Sequence, residues 1–233
     1  MGKRYQMKVV SVGSAGTGKT SLINVYLSGK MRSDYHATIG VDFMTTTMDM
    51  GETQDTVKVQ WWDTAGEERY RSVTRSYYRN SSAMVLVFDL SNPKTFDELE
   101  HWIDEIEEFR VKGQPILLIG NKLDLVNNTT KISTDVNVTN PNEKLVQITA
   151  YNDIHNHACK LAAEHDLIYI ETSAKLNIRV KEAFDMLITQ VYNNAMASHS
   201  PENWNVHDLD TTTRRTINYY IPKSNKETCC ILM

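Results

Sequence analysis

A chain of 233 residues, of which 41% are hydrophobic and 23% charged, is long enough to bury the core of one domain and to carry extensions. A formal net charge of -4 argues against the basic surface that collects nucleic acid, so no nucleic acid partner is expected. No apolar stretch approaches the roughly 20 residues of a membrane helix, and the N-terminus lacks the apolar region of a signal peptide. The chain is therefore expected in the cytoplasm.

The first predicted element is a strand that runs into a glycine-rich loop and a helix. The β-branched run at residues 7–12 predicts the strand, and residues 20–27 predict the helix. The loop and the start of the helix fit G-x-x-x-x-G-K-[ST], the pattern of a phosphate-binding loop. Its residues are Gly13, Ser14, Ala15, Gly16, Thr17, Gly18, Lys19 and Thr20.

The motif predicts a nucleotide. Backbone N–H groups and the helix N-terminus converge on phosphate oxygens, and glycine is needed where a side chain would block that approach. Lys19 is expected to reach the β- and γ-phosphates, and the Thr20 hydroxyl to bind Mg²⁺, with Ser21 next to it in the nucleotide site. A phosphate loop alone does not distinguish ATP from GTP.

Five further strands are predicted. Residues 41–50 and 57–62 flank a polar turn at residues 51–55, which indicates an antiparallel hairpin. The next three strands are continuous apolar runs, typical of strands that are buried on both faces of a parallel sheet. They lie at residues 84–88, 116–119 and 167–170.

Three helical segments alternate with these apolar runs. The first follows Asn92-Pro93, a cap residue and a proline suited to the first helical position. Apolar residues recur at helical spacing in all three segments, at Phe96, Leu99, Ile103 and Ile106, at Ile154, Ala158, Leu161 and Ala162, and at Val180, Phe184, Leu187 and Val191. The alternation predicts a doubly wound α/β fold with a mainly parallel sheet.

Two segments lack such patterns. Residues 126–150 are rich in Asn and Thr and have no helical periodicity, which predicts an inserted surface loop. From residue 195 the chain is again polar and aperiodic, so a flexible tail is expected over residues 195–233.

A base-recognition site is predicted at the carboxyl edge of the sheet. Asn121-Lys122-Leu123-Asp124 follows the strand at residues 116–119, where such folds bind ligands. An aspartate that accepts from the ring N–H and the exocyclic amine of guanine would be left unpaired by adenine. A second polar loop, with Ser173, Ala174 and Lys175, follows the next strand. The aspartate argues against an ATP-dependent kinase.

These motifs come in a characteristic order, which is GSAGTGKT, Thr38-Ile39-Gly40, Asp63-Thr64-Ala65-Gly66, NKLD and SAK. In this order they resemble the small GTPases of the Ras superfamily. The stretches TIGVDF and WDTAGEERY, with two cysteines near the end, resemble its Rab family. The resemblance implies a P-loop NTPase small G-domain at about residues 5–192, interrupted by the insertion. Its sheet would be doubly wound, six-stranded and mostly parallel, with one antiparallel strand.

The resemblance also implies a role for each matching residue on the phosphate side, with GTP or GDP and Mg²⁺ as ligands. Thr38 would close on Mg²⁺ and the γ-phosphate, and Asp63 would hold Mg²⁺ through a water. The metal ligands would then be Thr20, Thr38 and Asp63. The Gly66 amide would contact the γ-phosphate, and Gly66, Lys19 and Glu67 would form the catalytic set.

On the base side, the resemblance implies that Asn121 and Asp124 bind guanine and that Lys122 packs along it. The Ala174 amide, flanked by Ser173 and Lys175, would meet guanine O6. Loss of the γ-phosphate would release the two segments that carry Thr38 and Gly66, the switch segments, and that change would be the signal.

Two residues depart from the family pattern. Met31 stands where the family usually has an aromatic residue over the guanine edge, which puts nucleotide affinity or exchange rate in question. Glu67 stands where the family usually has glutamine, whose carboxamide donates and accepts hydrogen bonds and so orients the attacking water. A carboxylate only accepts, and it repels the phosphates.

The predicted function is a GTP/GDP switch with slow hydrolysis that regulates vesicle trafficking. The alternative is a GTP-locked or hydrolysis-deficient scaffold that recruits effectors without cycling. The aromatic residues Trp62, Tyr70, Tyr77 and Tyr78 are either an effector patch between the switches or ordinary packing. A monomer is expected, regulated by an exchange factor and a GTPase-activating protein.

The end of the chain predicts membrane attachment. Cys229 and Cys230 lie in a C-a-a-X-type ending, the signal for a prenyltransferase. Because one lipid gives only marginal binding, both cysteines are predicted to carry lipid. Geranylgeranyl on both and farnesyl on Cys230 with palmitoyl on Cys229 remain alternatives. The resemblance also implies a GDP-dissociation-inhibitor type chaperone as a partner, and the lipids would attach the protein to the cytosolic face of an intracellular membrane.

Overall fold

The computed structural model describes residues 2–31, 37–67, 71–126, 141–197 and 207–208. Seven strands occur in these residues: β1 (Arg4–Val12), β2 (Val41–Asp49), β3 (Thr56–Thr64), β4 (Ala83–Asp89), β5 (Ile116–Asn121), β6 (Ile168–Glu171) and β7 (His207–Asp208). The helices are α1 (Lys19–Ser28), α2 (Arg71–Tyr78), α3 (Pro93–Asp97), α4 (Leu99–Glu107), α5 (Pro141–Glu164) and α6 (Val180–Ala197), with a 3₁₀ turn at Gly51–Thr53 and helical residues at 123–126.

Six of these strands form the main path of one sheet, in the order β2-β3-β1-β4-β5-β6. Strand β2 is antiparallel to β3, and the other neighbours along this path are parallel. Val10 in the central strand pairs with Trp62 on one side and Met84 on the other. The predicted hairpin and the predicted six-stranded, mostly parallel sheet are therefore confirmed.

The core forms two layers, one on each face of the sheet. Successive residues of β1 alternate between them, so Val9 joins the layer under α1 and α6, and Val10 joins the layer under α4 and α5. In β4, Leu86 and Val87 divide in the same way and are both almost fully buried. Strands covered on both faces need apolar residues at every position, which explains their continuous apolar runs.

The predicted insertion at residues 126–150 ends too late in the chain. Residues 141–150 belong to α5, which begins at Pro141, so the prediction of a loop over residues 126–150 is wrong for its last ten residues. The sequence does carry the start signal, because Asn140-Pro141 is a cap residue followed by proline. Residues 127–140 lie outside the described part of the chain.

Three helical regions differ from the sequence prediction. The predicted helix after Asn92 is two helices, α3 and α4, with Glu98 between them. Helix α2 had no counterpart in the sequence patterns. Helix α6 continues to Ala197, past the predicted start of the tail at residue 195, because Ala195 is buried in the core.

Part of the predicted tail returns to the sheet. Strand β7 pairs antiparallel with Tyr5 and Gln6 of β1, on the stretch of β1 that precedes its pairing with β4. The rest of the tail, including Cys229 and Cys230, lies outside the described residues. Among the residues that are described, no helix is long and apolar enough to cross a membrane.

Candidate nucleotide-binding site

The predicted site residues meet at the carboxyl edge of the parallel strands. The glycine-rich loop follows β1, Asp63 lies near the end of β3, and Asn121 ends β5. Lys19, Thr20, Thr38, Asp63, Gly66 and Glu67 line one cavity of about 620 Å³. The fold therefore assembles the phosphate-side residues from three separate stretches of sequence.

Two glycines of the loop are required by the geometry. Gly13 has φ 129°, and a Cβ there would lie 2.2 Å from the Val87 carbonyl oxygen. Gly18 has φ 97°, caps the N-terminus of α1, and leaves no room for a Cβ, which would lie 2.4 Å from Asn121 Nδ2. A positive φ and such close contacts are compatible only with glycine.

Lys19 lies inside the loop rather than in solvent. Its Nζ donates to the carbonyl oxygens of Gly13 at 2.7 Å and Ser14 at 3.0 Å, and the Thr17 hydroxyl donates to the same Ser14 oxygen at 3.0 Å. Burial lowers the pKa of Lys19 to about 8, and the charge of Asp63 partly opposes that shift. An anion in the cavity would favour the charged ammonium group.

Three oxygen-bearing side chains converge beside the start of α1. The Thr20 hydroxyl donates to Asp63 Oδ2 at 2.5 Å, and it lies 2.8 Å from the Thr38 hydroxyl. Among the described residues, the buried Asp63 Oδ1 has no hydrogen-bond partner. Burial, more than any other cause, raises the pKa of Asp63 to about 6. A set of hard oxygen donors around an unsatisfied buried carboxylate fits Mg²⁺.

The segment after β3 packs closely on the phosphate loop. A Cβ on Gly66 would lie 2.5 Å from the backbone nitrogen of Ala15 and 2.6 Å from the carbonyl oxygen of Gly13. Glu67, the next residue in the chain, lines the wall of the cavity. Met31, which is 48% exposed, lines the same cavity. The two departures from the family pattern therefore both line the cavity.

Asn121 ties the base loops to the phosphate loop. Its Nδ2 donates to the Thr17 carbonyl at 2.9 Å, and its Oδ1 accepts from the Thr172 hydroxyl at 3.1 Å and the Ala174 amide at 3.2 Å. Asp124 Oδ1 accepts from the Ser173 hydroxyl at 2.6 Å. These bonds bring together the two loops that the sequence proposed for base recognition.

The two predicted lysines of the base loops differ in their surroundings. Lys122 has φ 66°, and its Nζ donates to Asp89 Oδ2 at 2.7 Å, which orients its stem at the edge of the site. Lys175 is exposed, next to Leu176 with 58% exposure. Asp89 was missed by the sequence analysis, because its partner is 33 residues away.

Sequence comparison with known proteins identifies the family of this chain. A sequence model of the Ras family matches residues 8–193. The chain is 33% identical to the Ras-related protein Rab-11A of Dictyostelium discoideum, over 97% of this chain and 95% of that protein. It belongs to the Rab family of small GTPases. It is also 33% identical to human Ras-related protein Rab-26, over 86% of this chain and 70% of that protein.

The aromatic residues of this Rab GTPase divide into core and surface. Tyr78 is fully buried in the layer under α4 and α5. Trp62 instead packs against Phe43 and Tyr77, with ring centroids 5.0 Å apart in both pairs, and Phe43 is 46% exposed. Tyr70 lies outside the described residues. Ordinary packing accounts for Tyr78, and Trp62, Tyr77 and Phe43 form an accessible aromatic surface.

A contact between the phosphate loop and α4 was also missed. The hydroxyl of Ser14 donates to Glu98 and accepts from Trp102 Nε1 at 3.2 Å. Glu98 and Trp102 are four residues apart, so they share one helical face. The spacing alone does not reveal which loop lies against that face.

Proposed function

We propose that this Rab GTPase is a GTP/GDP switch that regulates vesicle trafficking at membranes and hydrolyses GTP slowly. The observation that carries the proposal is the convergence of a phosphate loop, three oxygen donors and two base-recognition loops at one edge of the sheet. Similarity to Ras-related Rab proteins supports the trafficking role.

In the proposed phosphate site, the loop amides and Lys19 hold the β- and γ-phosphates. Thr20, Thr38 and Asp63 would hold Mg²⁺, which neutralises charge on the phosphate oxygens. Thr38 and Gly66 lie on the two segments that would sense the γ-phosphate. Because both segments contact the loop or its metal ligands, loss of the γ-phosphate would release them together.

In the proposed base site, the Asp124 carboxylate accepts from guanine, and its second contact with Ser173 fixes its orientation. Asn121 holds the loops in place and offers its remaining amide hydrogen to the base. Lys122 covers one face of the base with its apolar stem. Discrimination against adenine would follow from the unpaired carboxylate.

Single-turnover hydrolysis tests the proposed function. We expect GDP and GTP, and not ATP at equal concentration, to compete with a fluorescent GDP analogue. We expect bound GTP to be hydrolysed slowly alone and faster with a GTPase-activating protein of the Rab family. A protein that binds GTP without hydrolysing it under either condition would support the scaffold alternative, which Glu67 on the cavity wall favours.

Glu67→Gln is expected to raise the single-turnover rate of GTP hydrolysis by about tenfold or more. The carboxamide can orient water by donating and accepting, and it removes a negative charge beside the phosphates. Glu182→Gln, at an exposed position of α6, makes the same chemical change away from the cavity and should leave the rate unchanged. Equal rates for Glu67→Gln and the wild type would show that the carboxylate does not limit hydrolysis.

We further propose that Cys229 and Cys230 both carry lipid and attach the protein to the cytosolic face of an intracellular membrane. The support is the sequence motif and the weak binding that one lipid provides. Mass spectrometry of the C-terminal peptide from native protein is expected to find two modified cysteines. An unmodified Cys229 would contradict this proposal, and the masses would separate geranylgeranyl from farnesyl and palmitoyl groups.

The accessible surface of Phe43, Trp62 and Tyr77 is the proposed effector contact. It lies between the segment that follows Thr38 and helix α2. Aromatic residues at a partly exposed centre are the usual energetic anchors of protein interfaces. This position would let an effector detect the state of both switch segments.

A further inference from the structure

Glu171 ends strand β6 with a buried and fully engaged carboxylate. Only 7% of the residue is exposed. Its Oε2 accepts from the Tyr151 hydroxyl at 2.7 Å, and its Oε1 accepts from the Tyr169 hydroxyl and from His155 Nδ1, both at 2.8 Å. A buried charge is tolerated when donors satisfy it, so these contacts hold the end of β6 in one position.

The base-recognition loop begins at the next residue. The Thr172 amide donates to the Gly120 carbonyl at 2.8 Å, and the Thr172 carbonyl accepts from the Leu123 amide at 3.0 Å. Ser173 and Ala174 then contact the side chains of Asp124 and Asn121. Helix α5 is therefore connected to the two residues proposed to bind guanine, through its hydrogen bonds to Glu171, the backbone of residues 171–174, and the hydrogen bonds of the loop.

We propose that Glu171 positions the base-recognition loop, and that Tyr151 and His155 transmit movements of helix α5 to that loop through Glu171. The inference rests on the proposed function, because it assigns a regulator to the same nucleotide site. Glu171 itself need not touch the nucleotide. A partner protein that shifts α5 would change the dissociation rate of GDP without contacting the nucleotide.

Helix α5 supplies two of the three donors to Glu171, both from one accessible face. Tyr151 and His155 are four residues apart and therefore lie one turn apart on the same side. The side chain of His155 is 36% exposed, so this face can be reached from solvent. The helix begins at Pro141, directly after the part of the insertion that follows β5 in the chain.

The test uses two variants that weaken these contacts and one matched control. Glu171→Gln replaces one accepting oxygen with a donor, and Tyr151→Phe removes only a hydroxyl. Tyr192→Phe is the control, because the Tyr192 hydroxyl donates to Asp55 Oδ2 at 2.6 Å and to no residue of the base loops. Both tyrosine variants lose one hydrogen bond to a carboxylate.

The GDP dissociation rate and the ratio of GDP to IDP affinity are measured on the full chain, and urea unfolding gives the stability of each variant. IDP lacks the exocyclic amine that Asp124 is proposed to bind. We expect Tyr151→Phe to release GDP about three- to tenfold faster, Glu171→Gln at least as fast, and both to lose part of the GDP preference. Tyr192→Phe is expected to lower stability and leave both nucleotide measurements unchanged.

The outcomes separate this inference from the function on which it rests. Failure of the wild type to bind GDP would contradict the proposed function. Tight GDP binding by the wild type, with Tyr151→Phe and Tyr192→Phe releasing GDP equally fast and with equal base preference, would overturn the positioning role alone. If Glu171→Gln does not fold, Tyr151→Phe still decides the question.

Discussion

Asn121→Ala is expected to lower GDP affinity by at least about a hundredfold, the largest loss that we predict for a residue of the base loops. The residue is 1% exposed, and its side chain makes hydrogen bonds to Thr17, Thr172 and Ala174. Alanine removes all of these contacts and leaves the buried Thr17 carbonyl without this donor. Each buried group that loses its partner costs about 1–3 kcal/mol.

Part of this effect will be a loss of folding stability, and a matched control separates the two. Gln114 is also a buried carboxamide, whose Nε2 donates to Ser81 and whose Oε1 accepts from the Val111 amide. Gln114 lies two residues before the start of β5, while Asn121 lies at the end of β5 that faces the candidate site. Gln114→Ala should lose stability to a similar extent and keep its GDP affinity.

Equilibrium binding of a fluorescent GDP analogue, together with urea unfolding, measures both quantities for each variant. Comparable GDP affinities for Asn121→Ala and Gln114→Ala would mean that Asn121 stabilises the fold without a specific role at the site. A loss of GDP affinity in Asn121→Ala that Gln114→Ala does not share would support the proposed base-recognition loops.

Gly66→Ala is expected to lower affinity for a non-hydrolysable GTP analogue by at least about tenfold relative to GDP. The added Cβ would lie within 2.6 Å of backbone atoms of Gly13, Ser14 and Ala15. Because these are backbone atoms of a constrained loop, they cannot rotate away as a side chain can. Gly66 would have to withdraw from the loop, and its amide would withdraw from the proposed γ-phosphate position.

Gly29→Ala provides the control for the Gly66 variant. Gly29 has φ 73° at the C-terminus of α1, and a Cβ there meets nothing within 4 Å. Alanine at this position therefore carries backbone strain without a steric clash. Its ratio of GTP-analogue to GDP affinity should match the wild type, and the same ratio in Gly66→Ala would contradict the predicted clash.

Local sequence patterns were sufficient for much of the fold. The strands β4 and β5 are continuous apolar runs, and each is almost entirely buried. The phosphate loop could be predicted because glycine, lysine and threonine are needed at fixed spacing for local backbone reasons. Patterns of this kind depend on neighbours along the chain, so a single sequence records them.

The errors concern features that distant residues decide. Helix α2 has the polar sequence RSVTRSYY, and Thr74 and Tyr78 on it become buried only against the rest of the fold. Helix α5 begins directly after a stretch rich in Asn and Thr, and the composition of that stretch suggested a loop over the first turns of the helix as well. The contacts of Glu171 join a strand to residues 16 and 20 positions earlier, and no motif encodes that proximity.

The bond between Asn121 and the Thr17 carbonyl has a consequence for how a nucleotide would be held. Nucleoside and phosphate groups are two weak ligands joined by a covalent bond, and binding of one raises the effective concentration of the other at its own pocket. That gain requires the two pockets to stay at a fixed separation. Asn121 would set this separation directly, because its hydrogen bond joins the two proposed pockets, and loss of that bond would lower the affinity for the whole nucleotide.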